Sequence, residues 1–283
     1  PIKHDVQPPN EWQYQNKSQP SHEYIRTDVY NPIAASNERI RIAKYACKRL
    51  NSSRHRMVAK QFFISQKYHF MFNNIPKVAS TTWRELLSYA DEDCRKNKPA
   101  PPAADINDYT KVVFFREPLV RLVSCYFSKF HISSSFSPIY EKEFRYYILK
   151  IRAAGINLLR MPGHPWKRLN VTFSEFVQFV IKYGNRKLRY SKHWKPQYTI
   201  SDVCSIDYDF IGHFEELAYD GPFALQKLGI ANVVEFPIVH STLGDGIYVD
   251  TMLSLSWELI KKVVEFYWQD YEILGYNIPS FEV

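Results

Sequence analysis

The stretch Tyr68 to Leu87, YHFMFNNIPKVASTTWRELL, reads as a strand, a short polar loop and the opening turns of a helix. Phe70, Met71 and Phe72 form an apolar run leading to Ile75, and Pro76-Lys77 breaks the ladder. Ser80, Thr81 and Thr82 then offer capping hydroxyls ahead of Trp83, Leu86 and Leu87. This is the plan of an anion cradle, in which unpaired backbone N–H groups and the positive end of a helix dipole face one point. Lys77 adds a full charge. The nucleoside-triphosphatase signature GxxxxGK[ST] is not met, because its glycines are absent and Lys77 precedes the hydroxyl residues instead of abutting them. A metal-bound triphosphate therefore fits poorly, and a compact anion fits better.

A second strand, loop and helix follows. Thr110 to Phe115, TKVVFF, is a β-branched and aromatic run suited to a buried parallel strand, and Arg116 stands at its end. Pro118 suits an early helix position, and Leu119, Leu122, Val123, Tyr126 and Phe127 continue at helical spacing to Phe130. Arg116 supplies a fork of donors and Ser124 lies about two turns into that helix. The pair suits a second phosphate. In an open parallel sheet such strand ends line one crevice, so a nucleotide with phosphates at both ends of its ribose would span the two sites.

Outward from these motifs, residues 1–36 are polar and Pro-rich and read as an extended or disordered arm. Asn37 to Leu50 has helical spacing. Residues 37–283 are expected to form one domain, with 131–200 an aromatic and basic excursion on its acceptor side. Within it, Tyr140 to Ala154 reads as a helix closing at Gly155 and at the turn Pro162-Gly163-His164-Pro165, and Thr172 to Tyr183 as a helix with Thr172 or Ser174 as its start and Gly184 as its stop. Arg186 to Tyr198, RKLRYSKHWKPQY, is kept from a plain helix by Pro196. Tyr208 to Gly212 reads as a strand, followed by a helix to Gly229, and Ser254 to Tyr271 as an amphipathic helix. The order of elements predicts an α/β fold with a central parallel sheet flanked by helices.

Composition narrows the partners. The 283 residues carry a net charge of +8, which favours an anionic partner such as nucleic acid, an acidic glycan or a membrane surface. Aromatic residues make up 16%, enough to place rings in a cleft as well as in the core. No run approaches the ~20 apolar residues of a membrane span, and the chain starts at Pro1 without an initiator Met. A trimmed fragment lacking any anchor is expected. Cys47, Cys94, Cys125 and Cys204 have no CxxC spacing, so no zinc site is expected and two disulfides, with three possible pairings, suit a secretory protein. The sequons Asn16-Lys17-Ser18, Asn51-Ser52-Ser53 and Asn170-Val171-Thr172 point the same way.

IPKVASTTW resembles the 5′-phosphosulfate loop, and FFREPLVRLVSCYFSKF the 3′-phosphate motif, of Golgi carbohydrate sulfotransferases that use 3′-phosphoadenosine 5′-phosphosulfate (PAPS). HWKPQY at 193–198, IDYDFIGHFEEL at 206–217 and the carboxy-terminal YWQDYEILGY extend the resemblance from about Cys47 to the end. It is to the group containing the chondroitin and dermatan 4-O-sulfotransferases and the HNK-1 sulfotransferase. Two departures stand out: Glu117 where the family usually has Asp, and Ser201 where it has the first cysteine of a CxxC pair completed by Cys204. The family's disulfide at that place is therefore not carried over.

The resemblance implies a P-loop-like sulfotransferase fold and transfer of a sulfuryl group to a sugar hydroxyl without a metal. By it, Pro76, Lys77, Val78, Ala79, Ser80, Thr81 and Thr82 hold the 5′ end of PAPS, and Arg116 with Ser124 the 3′-phosphate. Lys77 is the catalytic cation. Of nine histidines, His193 is the candidate base, suited to neutral pH and lying in a matched block; Glu117, Glu215 and His131 are its rivals. Arg186, Arg189, Lys192 and Lys195, with Lys187 beside them, could clamp an acidic glycan or form a solvated face. Trp194 could stack on a sugar or pack in the core. The implied acceptor is a glycosaminoglycan, not a nucleic acid, with galactosamine 4-O sulfation first and uronic-acid 2-O or glucuronic-acid 3-O sulfation as alternatives. A glycan-binding protein that has lost turnover is the rival from another class. The implied place is the Golgi lumen, with a type II anchor outside this chain.

Overall fold

The computed structural model describes residues 30–52, 62–94, 108–152, 169–238 and 245–279. Four short strands, β1 (Phe62–Ser65), β2 (Phe70–Asn73), β3 (Thr110–Phe115) and β4 (Phe210–His213), form one sheet in the order β1-β2-β3-β4. β2, β3 and β4 run parallel, and β1 pairs antiparallel with β2. The register aligns Phe63, Phe72, Val112 and Phe210 across the sheet. Nearly every strand residue is buried, which is why these segments read as continuous apolar runs and not as alternating ones. The sheet is thus mostly parallel, with one antiparallel edge that the sequence reading did not include.

Nine α-helices lie among the described residues: α1 (Pro32–Arg49), α2 (Ser80–Ala90), α3 (Pro118–Lys129), α4 (Ser137–Arg152), α5 (Phe173–Tyr183), α6 (Gln197–Ser201), α7 (Leu217–Lys227), α8 (Asp245–Leu253) and α9 (Trp257–Leu274). Their ends follow local chemistry. Thr172 and Glu175 form a reciprocal capping box on α5, and Gly275 closes α9 at φ 75°, a left-handed conformation that favours glycine. One core joins the sheet to α1, α2 and α7; a second is built from α3, α4, α5 and α9. Gly212 in β4 is required by close approach, since a Cβ there would fall 2.2 Å from Phe114 Cε1.

The helix read from Asn37 starts earlier, at Pro32, within the stretch assigned to the arm. Asn31 caps α1, its side chain accepting from the N–H groups of Ile33 and Ala34, and Pro32 takes the first helical position. Residues 1–29 lie outside the described residues, as do Gly155, the turn at 162–165 and the Asn16 sequon. α1 covers the edge of β4: Ser36 Oγ accepts from Ile211 N–H at 2.9 Å, and Arg39 donates to Ile211 C=O at 3.1 Å. Arg39 is held by buried Asp220 at 2.6 Å. Two side chains of a helix thereby satisfy backbone groups that an edge strand leaves open.

The cysteines form one disulfide, not two. Cys47 at the end of α1 joins Cys204 after α6, 157 residues away in sequence. Cys125 is a buried free thiol on α3.

Candidate active site

The strand, loop and helix of the candidate cradle lie where the sequence stretch indicated, with backbone geometry that sequence alone did not supply. After β2 the chain passes through Lys77 (φ 72°) and Ala79 (φ 48°), both left-handed, and this turns it sharply into α2. Ala79 occupies the cap position and has no side chain able to cap. The first intrahelical bond is Trp83 N–H to Ala79 C=O at 3.0 Å. The amides of Ser80, Thr81 and Thr82 therefore precede the ladder, at the positive end of α2. Such an arrangement is made for an anion.

Lys77 and Arg116 meet there. Arg116 Nη1 donates to Lys77 C=O at 3.3 Å, and its guanidinium lies over the Phe214 ring at 4.1 Å. Arg116 is buried, and its Nε has no protein partner. A buried unpaired donor beside an uncapped helix start fits a phosphate group. Lys77 Nζ donates to Ser128 Oγ at 2.9 Å. Burial lowers its pKa, and the neighbouring cations Lys129, Arg116 and Arg121 push the same way. Ser124 is buried on α3.

Arg121 was not anticipated, although an arginine among Leu119, Leu122 and Val123 was the signal for it. It is almost wholly buried and its hydrogen bonds go to three backbone carbonyls: Pro76 at 3.0 Å, Lys195 at 2.9 Å and Lys192 at 2.8 Å. One guanidinium thus ties the cradle to the segment carrying His193.

His193 ends a 3-10 turn, Ser191–His193, that starts after Tyr190 at φ 63°. Its ring meets Tyr140 edge-on at 6.0 Å, and Nδ1 is buried without a protein partner. Burial depresses its pKa to about 3, and Lys129, Arg121, Lys192 and Lys77 all add to that effect. The imidazole is therefore neutral at physiological pH, close to the cradle's cations. Lys129, on the last turn of α3, is a further cation of this cluster. It lies 3.8 Å above the half-exposed Phe136 ring.

The rival bases have other partners. Glu117 caps α3 through Val120 N–H at 2.5 Å and accepts from Tyr271 OH at 2.5 Å. Glu215 accepts from Glu117 N–H at 2.8 Å and from Tyr276 OH at 3.0 Å. His131 Nδ1 contacts Ser133 Oγ at 2.6 Å.

The basic segment divides. Arg186, Arg189 and Lys192 are exposed, and the two arginines lie over Tyr183 and Tyr190 at 5.2 and 4.9 Å. Lys195 is half-buried. Trp194 has 0% exposure, ringed by Phe130, Phe144 and Phe179, so it cannot stack on a sugar; its place is in the core. A cavity of about 570 Å³ beside the disulfide, bordered by Lys44, Lys48 and Asp207, shares no residue with the cradle. Among the described residues no group of three or more His, Cys, Asp or Glu is placed to hold a metal, and no helix is long and apolar enough to cross a membrane.

The comparisons with known proteins agree with this geometry. Residues 60–277 match the model of the sulfotransferase family, and the chain belongs to that family. Carbohydrate sulfotransferase 14 of Danio rerio is 24% identical over 253 residues, covering 82% of this chain and 66% of the relative. Carbohydrate sulfotransferase 12 of Xenopus laevis is 23% identical, covering 77% and 60%. Carbohydrate sulfotransferase 10 of Xenopus laevis is 26% identical over 307 residues, covering 94% and 83%. The chain thus spans 66% and 60% of the first two relatives' lengths. No solved structure matches.

Proposed function

We propose that this protein is a PAPS-dependent carbohydrate O-sulfotransferase acting on an acidic glycan. The observation that carries the reading is that Arg116 Nη1 donates to the backbone C=O of Lys77 at 3.3 Å, which joins the loop after β2 to the end of the adjacent parallel strand β3, beside the uncapped start of α2. Two anion-holding groups share one crevice, as a nucleotide with phosphates at both ends of its ribose requires.

PAPS, when bound, supplies the sulfuryl group and departs as the 3′,5′-bisphosphate. Lys77 and the amides of 80–82 hold the 5′ end, and Arg116 with Ser124 the 3′-phosphate. Lys77 is a cation fixed where negative charge builds during transfer, so it favours the transition state over the ground state. His193, whose Nδ1 has no protein partner, takes the proton of the sugar hydroxyl, and the negative charge of bound PAPS would offset the cations that otherwise depress its basicity. The exposed Arg186, Arg189 and Lys192 face the acceptor's carboxylates and sulfates, which supports a glycosaminoglycan of the chondroitin or dermatan type. Galactosamine 4-O is the position to test first. The Cys47–Cys204 disulfide suits an oxidising compartment, in keeping with the Golgi lumen.

A labelled-PAPS assay over a panel of desulfated glycans, followed by disaccharide analysis, tests the reading. Transfer to a glycan that is lost in a folded Lys77→Ala variant supports it. Glycan binding with no transfer and no affinity for the bisphosphate would identify a binding protein instead, and unchanged turnover in Lys77→Ala would remove Lys77 from the chemistry.

A further inference from the structure

We propose that Arg121 is a positioning residue that sets the placement of His193 relative to Lys77. The inference rests on the transferase reading above and adds to it a part that touches neither donor nor acceptor.

The three carbonyls that Arg121 grips are not random members of the core. Pro76 immediately precedes Lys77, Lys192 immediately precedes His193, and Lys195 closes the turn on the other side of His193. The two segments are far apart in the chain and belong to different parts of the fold. A strand and its loop carry one; an irregular turn before α6 carries the other. That turn includes only three residues of 3-10 helix and begins at a left-handed tyrosine, so its own ladder is too short to fix it. A planar guanidinium with five donors in a fixed fork imposes distances and angles on all three acceptors together. The residue is 1% exposed, so water does not compete for these bonds.

The charge adds a second effect. After burial, the largest effects on His193 among the described residues come from cations, Lys129 and Arg121 from α3, Lys192 from its own turn and Lys77 from the cradle, and the neutral Tyr140 ring packs on it from α4. Arg121 therefore places the imidazole and helps to keep it unprotonated. Lysine in its place retains the charge but, as a point donor on a flexible stem, cannot span three carbonyls.

The test compares Arg121→Lys with the unaltered chain after both are shown to be folded by circular dichroism and thermal unfolding. Turnover of glycan should fall by about 100-fold, the scale expected when reacting groups are misplaced by about 1 Å. Affinity for adenosine 3′,5′-bisphosphate, measured by calorimetry, should fall far less than turnover, although the bond to Pro76 C=O borders the donor site. In a His193→Ala background the same substitution should cost little more, because the group it positions is gone. A purely structural role would lower stability and leave kcat per folded molecule intact. That result overturns the proposal, as do full additivity with His193→Ala and a parallel loss of bisphosphate affinity. If Arg121→Lys does not fold, Arg121→Gln, neutral and able to serve fewer carbonyls, is read in the same way. If neither folds, Arg121 is a folding residue and the proposal fails. Absence of any transfer by the unaltered chain would instead refute the transferase reading.

Discussion

The side-chain amide of Gln197 grips both backbone groups of Arg116. Its Oε1 accepts from Arg116 N–H at 3.1 Å, and its Nε2 donates to Arg116 C=O at 2.6 Å. Gln197 is itself held, because the buried carboxylate of Asp270 on α9 accepts from the N–H groups of Gln197 at 2.7 Å and Tyr198 at 2.8 Å. β3 ends at Phe115, so Arg116 has left the ladder. Gln197 replaces the missing strand partner, and α9 fixes Gln197.

Removing this amide should loosen the 3′-phosphate site. Gln197→Ala leaves a buried N–H and C=O unpartnered, a cost of about 1–3 kcal/mol in stability. Gln197→Glu keeps an acceptor, loses the donor and adds a buried charge, so it should do no better. Both should weaken binding of adenosine 3′,5′-bisphosphate and raise the KM for the donor. Calorimetry and urea unfolding check this; wild-type affinity in folded Gln197→Ala would show that Arg116 is set without Gln197.

What could be read from the sequence was local. The run TKVVFF is β3 from end to end; of Thr172 and Ser174 the cap of α5 is Thr172, and Gly184 ends that helix at φ −60°, where close approach of Val180 and Phe266 and not a left-handed turn calls for glycine. The cradle was legible because its strand, loop and helix are contiguous. β1 escaped notice as a four-residue run that gains its meaning only by pairing with β2. Trp194 sits between Lys and His in the chain, and its apolar surroundings come from α3, α4 and α5, so its burial left no mark on its neighbours in sequence. Arg121, Gln197 and Asp270 act through bonds to distant backbone or distant elements, and no spacing rule reveals such partners. The four cysteines allowed three pairings, and the choice required α1 to lie against the turn after α6.

The Cys47–Cys204 link should matter to stability. The two residues are 157 apart in sequence, so the crosslink restricts a long segment of the unfolded chain. Its loss is expected to cost about 2–5 kcal/mol. A urea midpoint that falls on adding reductant, and a Cys47→Ser/Cys204→Ser double variant that no longer responds to reductant, would show this. No response in the unaltered protein would count against the bond.

Cys125 should be inert in the native state. It is fully buried on α3, and burial raises its thiol pKa to about 11 despite nearby Lys77 and Arg121. Little thiolate exists at neutral pH and no reagent reaches it. Iodoacetamide should modify Cys125 only after unfolding, as read by peptide mass spectrometry. Rapid native labelling would place it on an open surface.

His193 should make the protein acid-sensitive. Its folded pKa is depressed from the ordinary 6.5 to about 3 by burial and by the surrounding cations. As pH falls below 6.5 the unfolded chain takes up a proton that the folded chain refuses, so stability drops with pH until about 3. Partly buried His213, its pKa lowered by desolvation and by Arg39, acts in the same direction. Asp270, raised to about 6 by burial, acts oppositely: it binds a proton in the folded chain first, so stability is gained as pH falls through 6 toward 3.8. The difference between His193→Gln and the unaltered chain isolates the one group. Between pH 7 and pH 5 the unaltered chain should lose about 2 kcal/mol more than the variant, measured by urea unfolding at each pH. An equal loss in both would show that the imidazole is not shielded from protonation. The same variant addresses the chemistry: if His193→Gln retained full turnover with the same acidic limb, His193 would not be the base.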